Sequence, residues 1–160
     1  MGKCKRFAIW SIIEDMNAAE LYDLDFAEWA VRNAELLRSG RIAEADLDHI
    51  AEEIEDMAKR ERRAMQSRLT RLIQHLLEWH VQPMKRSASW QSTIAERRFR
   101  IGKLADENPS FRPELAKWID QEYDHAVHLA TLDTGLERER FPRSWPYAVE
   151  QTLDQGFLPD

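Results

Sequence analysis

The chain has 160 residues, 43% of them hydrophobic, with six Trp, five Gly, six Pro and a formal net charge of −6. That length supports one sizeable core but hardly two, and a composition rich in Ala, Leu, Glu and Arg with sparse Val and Ile argues against a sheet. A single cysteine, Cys4, excludes an intramolecular disulfide and a thiolate metal cluster and fits a reducing, cytoplasmic setting. The expected class is all-α, a compact bundle of about five helices with one long central helix, in which residues 16–160 form a single domain and residues 1–15 a peripheral extension.

At the N-terminus, Lys3, Lys5 and Arg6 precede an apolar run at residues 7–13, but Glu14 and Asp15 follow where a signal peptide has a small-residue cleavage site. No export signal is read there. No other run approaches the roughly 20 apolar residues that a spanning helix needs, so no membrane partner is expected.

Asp25 with Glu28 three residues on has the form of a capping box, so a helix should begin at Phe26. Its apolar face is Phe26, Trp29, Ala30, Asn33, Leu36 and Leu37, and Gly40 after Ser39 supplies a left-handed stop. Asp46 then caps a long element whose stripe runs through Leu47, Ile50, Ile54, Met57, Met65, Leu69, Leu72, Ile73, Leu76 and Trp79 to the break at Pro83. Charged residues crowd positions 59–63, which leaves open whether this is one helix or two. Ser87 and Ser89 offer caps to the next helix, with the stripe Trp90, Ile94, Arg97, Ile101 and Leu104. Arg97 is its odd member, because a guanidinium in an apolar stripe must find a partner. Asn108-Pro109-Ser110 ends that helix, and the next buries Leu115, Trp118, Ile119, Ala126, Leu129 and Ala130, includes Glu122 in its stripe, and closes at Gly135. The tail reads as a loop, a short helix capped by Ser144, and an apolar end at Phe157 and Leu158.

Charge is segregated along the chain. Residues 1–58 carry a net −8, residues 59–103 a net +9 and residues 104–160 a net −7. Antiparallel helices with opposed charges account for this pattern, and a basic nucleic-acid face on residues 59–103 is the alternative.

The runs LYDLDFAEWA, DLDHIAEEIEDMA, RLTRLIQHLLEWHVQP, SASWQSTIAERR, ENPSFRPEL and FPRSWPY resemble the domain of unknown function 29 family of bacterial proteins, over about residues 21–159. The most specific parts are EEIED at residues 52–56, HLLEW at residues 75–79, Ser89-Trp90 with Thr93-Ile94, and Asn108-Pro109-Ser110. The resemblance implies a compact helical fold and a bacterial source, and it carries no activity. Ala58 stands where the family often has Gly, which favours an unbroken long helix, and Glu96 stands where a Gln is common. Residues 1–15 lie outside the resemblance, so Met16 is a candidate natural start.

For chemistry, His49, Glu52, Glu53 and Asp56 share one helix face and are donors suited to a divalent metal. A bundle site would need a second helix, with His75, or Glu122 with His125 and His128, as the contribution. The competing reading is a solvated acidic face with no cofactor. His75 borders the apolar stripe and is expected to make a structural hydrogen bond, through Thr93 or Glu53, and Glu53 is the expected counter-ion of Arg97. Glu52, Glu53, Asp56, His75, Trp90 and Arg97 form the candidate functional cluster. Phosphate loops, nucleophile elbows and zinc-protease motifs are absent, and Ser residues fall mainly at caps. These readings point to a non-catalytic protein-interaction module that binds a protein partner or self-associates. The alternative is a metal-dependent enzyme or a nucleic-acid-binding protein that uses the acidic face, His75 and nearby Arg residues.

Overall fold

The structure is a computed structural model that describes residues 16–160. The N-terminal extension, residues 1–15, lies outside the described residues. Among the described residues there is no strand, and six helices follow in order: α1 Ala18–Leu24, α2 Phe26–Arg38, α3 Leu47–Val81, α4 Ala88–Glu107, α5 Leu115–Thr134 and α6 Val149–Leu153. None of them is long and apolar enough to cross a membrane. Contacts gather the chain into two compact units that part between Lys59 and Arg60. Helix α3 runs unbroken through this point, where residues 54–63 are all exposed.

In the first unit, α1 begins with a capping box at Asn17 and Glu20. Asn17 Oδ1 accepts from Glu20 N at 3.0 Å, and Glu20 Oε2 accepts from Asn17 N at 3.0 Å. Helix α2 is capped as expected, Asp25 Oδ1 accepting from Glu28 N at 3.1 Å, and ends one residue earlier than expected, with Gly40 at φ 74° just beyond Ser39. Only Gly, lacking Cβ, enters that left-handed conformation without strain. Ala18, Leu21, Trp29 and Leu36 are buried with the polar Asn33.

The second unit holds the larger core. Met65, Leu69, Leu72, Ile73 and Leu76 of α3 are fully buried, as are Ile94 and Ile101 of α4 and Ala126, Val127 and Ala130 of α5. These residues recur every three or four positions, so each helix buries one continuous stripe. Ser87 caps α4, its Oγ accepting from Trp90 N at 3.2 Å. Pro109 and Pro113 hold residues 109–114 in a 3-10 turn before α5, which stops at Gly135 with φ 70°. The expected Ser144 cap is corrected, since α6 starts after Ala148. Pro146 disfavours the helical conformation at Trp145, which postpones the helix. The tail is tied down by Trp145 Nε1, which donates to Thr152 Oγ1 at 2.9 Å, and by Arg86 Nη2, which donates to Pro159 O at 3.2 Å.

Candidate functional site

In the first unit the predicted face is organised by Asp46, which the sequence reading treated only as a cap. Its Oδ2 accepts from the buried Trp29 indole at 3.0 Å and lies 2.6 Å from His49 Nδ1, while its backbone N–H donates to Asn33 Oδ1 at 2.8 Å. Burial pushes the Asp46 carboxyl up, but the hydrogen bonds from His49 and Trp29 outweigh it and hold the group below its ordinary value. The same hydrogen bond, made to the Asp46 carboxylate, raises His49. Tyr22 of α1 stacks on the His49 ring at 3.9 Å and 13° and donates its hydroxyl to Glu53 Oε1 at 2.9 Å, a bond that is the first cause of its own raised value. His49 and Glu53 therefore bind α3 to α1 and α2. Glu52 and Asp56 point outward, Asp56 accepting from Lys59 Nζ at 2.9 Å.

The four residues of this face are not gathered into a metal pocket. Among the described residues no group of three or more His, Cys, Asp or Glu side chains is arranged to hold an ion. Sharing one helix face spreads side chains along the axis, and convergence needs a second backbone opposite. The second contribution considered from the sequence is engaged locally, since Glu122 Oε2 accepts from Thr70 Oγ1 at 2.9 Å and stands 3.9 Å from His125 Nδ1. His128 is exposed.

In the second unit, Gln74 is the hub of a buried polar network. Its Nε2 donates to Glu78 Oε1 and to Asp133 Oδ2, each at 2.7 Å, and its Oε1 accepts from Arg71 Nη1 at 2.8 Å. Glu78 Oε2 lies 3.1 Å from His75 Nδ1. The partner of His75 is thus Glu78, one turn along the same helix, while Thr93 Oγ1 donates to Ser89 O at 3.1 Å and Glu53 holds Tyr22. Trp90 is half-buried and packs edge-on against Trp79 at 6.0 Å, and Arg86 covers the Trp79 ring at 5.2 Å. Neither Gln74 nor Asp133 was singled out from the sequence. Gln74 lies one residue beyond Ile73 at the edge of the apolar stripe, and that position is the signal that could have found it.

Of the adjacent Arg97 and Arg98 of α4, the expected apolar stripe places Arg97 inward, and the structure buries Arg98 instead. Arg98 is the buried one at 3% exposure, its Nε donating to Thr152 O at 2.8 Å, whereas Arg97 is half-buried. The expected Glu53–Arg97 pairing is replaced. Glu53 accepts from Tyr22, and the carboxylate that acts favourably on Arg97 is Glu78.

Fold and geometry together define an all-α protein in which, among the described residues, Tyr22–Glu53 and Trp79–Trp90 join neighbouring helices. The chain belongs to the family described as domain of unknown function DUF29, which it matches over residues 21–158. No curated protein and no solved structure matches it.

Proposed function

We propose that this chain is a non-catalytic protein-interaction module whose contact surface lies on its first unit, along the exposed apolar positions of α3. The observation that carries the reading is the distribution of exposed hydrophobic side chains. Among the described residues, Leu24, Phe26, Val31, Leu37, Ile42, Leu47, Ile54 and Met57 of the first unit are exposed, against Met84, Phe99 and Leu132 of the second. Concentrated apolar exposure of this kind marks a surface that gains by being covered.

Along α3, Leu47, Ile50, Ile54 and Met57 step by three, four and three residues, the spacing of a helix-pairing seam. Ile54 is 63% and Met57 61% exposed. Carboxylates rim the seam at Asp48, Glu52, Glu55 and Asp56, and residues 47–58 contain no Lys or Arg. The complementary partner is a helix with its own apolar stripe and basic rims. A second copy presenting the same seam would set carboxylates against carboxylates. The lone Cys4 fits a cytoplasmic setting for such a module.

The test uses two synthetic helical peptides with leucine at the seam positions, one rimmed by lysine and one by glutamate, with binding followed by fluorescence anisotropy. The lysine peptide should bind, lose affinity as salt rises, and bind at least about tenfold more weakly to Ile54→Asp and Met57→Asp chains that keep their helix content. Failure of both peptides together with a monomeric chain at all concentrations would refute the module. Concentration-dependent self-association without peptide binding would keep the module and replace the basic partner by a second copy.

A further inference from the structure

The seam on α3 calls for an apolar segment edged by cations, and this chain carries one of its own. Phe7, Ile9, Trp10, Ile12 and Ile13 fall close together, Lys3, Lys5 and Arg6 precede them, and residues 1–13 contain no Asp or Glu. Residues 47–58 of α3 carry five carboxylates and no Lys or Arg. Charge and apolar character are therefore complementary within a single chain.

The two stretches also join beside the seam. Asn17 caps α1 and Arg32 Nη1 donates to Met16 O, so the chain enters the first unit at the start of α1. Tyr22 of the same helix stacks on His49 and donates to Glu53 Oε1, the sequence neighbours of Ile50 and Ile54. Only about 8 Å of helix axis separates Asn17 from Tyr22. Residues 7–15 reach up to about 30 Å when extended, and the seam from Leu47 to Met57 is about 15 Å long. Tethering sets the local concentration of such a segment on the order of millimolar, so a contact too weak to hold a free peptide still fills the seam.

The other berth within reach is a groove of about 870 Å³ lined by Met16, Asn17, Arg32, Glu35, Arg41 and Glu44, with Asp46 at its edge. It suits the segment less well. Arg32 and Arg41 repel its cations, Glu44 is committed to Arg41, and Asp46 is committed to Trp29 and His49. On the seam, by contrast, Ile54 and Met57 are 63% and 61% exposed and no cation intervenes along residues 47–58.

We propose that residues 7–13, with Lys3, Lys5 and Arg6 beside them, dock on the α3 seam of their own chain and compete there with the outside partner. This regulation rests on the reading of the seam as a contact surface. The test gives the full-length chain a single thiol: Cys4→Ser is combined in turn with Ile54→Cys, Met57→Cys, Ser39→Cys in the groove, or Met84→Cys in the second unit, where Met84 is 96% exposed. Rates of reaction with a soluble maleimide are compared with and without Trp10→Asp. Positions 54 and 57 should react at least about tenfold more slowly when Trp10 is present, at any chain concentration, while positions 39 and 84 stay unchanged. Joint Lys3→Glu, Lys5→Glu and Arg6→Glu should speed the same two positions. The lysine-rimmed peptide should bind the Trp10→Asp chain at least about tenfold more tightly than the parent. Equal rates at positions 54 and 57, or slowing at position 39 in their place, would overturn the inference, and peptide bound alike by both chains would then leave the module standing without it. Slowing that grows with chain concentration would overturn it too, because the segment would lie on a second copy. Slow positions 54 and 57 with no peptide bound even by the Trp10→Asp chain would keep the segment on α3 and refute the outside partner.

Discussion

Replacing Asp46 by Ala tests how the first unit is held together. The carboxylate is 7% exposed and serves the Trp29 indole at 3.0 Å and His49 Nδ1 at 2.6 Å. Trp29 is 4% exposed, so the substitution strands a buried N–H at a cost of about 1–3 kcal/mol. Asp46 Oδ1 also stands 3.5 Å from the His49 backbone N–H, the long edge of a helix cap, whose removal adds up to about 1 kcal/mol. The expected loss is therefore about 1–4 kcal/mol, localised to the first unit.

The loss should depend on pH in two directions. Asp46 is held below its ordinary value, so its contribution is present above the unfolded pKa of about 4 and disappears as pH falls through the folded value. His49 is raised, so its contribution is present below the unfolded pKa of about 6.5 and disappears as pH rises through the folded value. The gap between parent and Asp46→Ala should be widest at about pH 5–6 and smaller on either side. Hydrogen exchange of peptides spanning residues 18–50 reads this directly. Equal protection in the two proteins would refute the role of Asp46, and a gap constant from about pH 5 to 9 would refute the part assigned to His49.

Gln74→Leu should destabilise the second unit by about 2–4 kcal/mol in chemical denaturation, because it strips the amide donors from Glu78 and Asp133; a loss below about 1 kcal/mol would dismiss the network as incidental. Tyr123 is 4% exposed and donates to Pro142 O at 2.7 Å; its phenol is pushed up to about 12 by burial, which outweighs the opposing charge of Arg138. In an ultraviolet titration it should ionise last and vanish from the curve of Tyr123→Phe, and its contribution to stability should hold below about pH 10 and fade as pH climbs to about 12. Tyr22→Phe removes one part-exposed hydrogen bond and keeps the stack on His49, so it should cost no more than about 1 kcal/mol, and a larger loss would show the bond to Glu53 to be worth more than its exposure allows.

Caps and stops were the most legible part of the fold. Asp25, Ser87, Gly40 and Gly135 act where local chemistry says they should, because a side-chain acceptor or a left-handed residue works within one turn and needs no tertiary context. Helix α1 escaped notice because seven residues are too few to display a period. The Ser144 cap failed because a following proline overrides a cap two residues earlier. The site was less legible. Positions 97 and 98 both flank the stripe through Ile94 and Ile101, at three and four residues from each, so periodicity alone does not choose between them, and the structure buries Arg98 and leaves Arg97 half-buried.

The order of amino acids determined which segments become helices, which face of each is apolar, and how charge alternates along the chain, since those properties follow from backbone period and side-chain type alone. Only the tertiary structure decided that Asp46 and Gln74 are the junctions, that Glu53 serves Tyr22, that Ile54 and Met57 stay uncovered, and that Arg98 rather than Arg97 is buried. Each of these depends on which group from a distant segment arrives within about 3 Å of a donor or acceptor, and a periodic pattern specifies a face without specifying what stands opposite it.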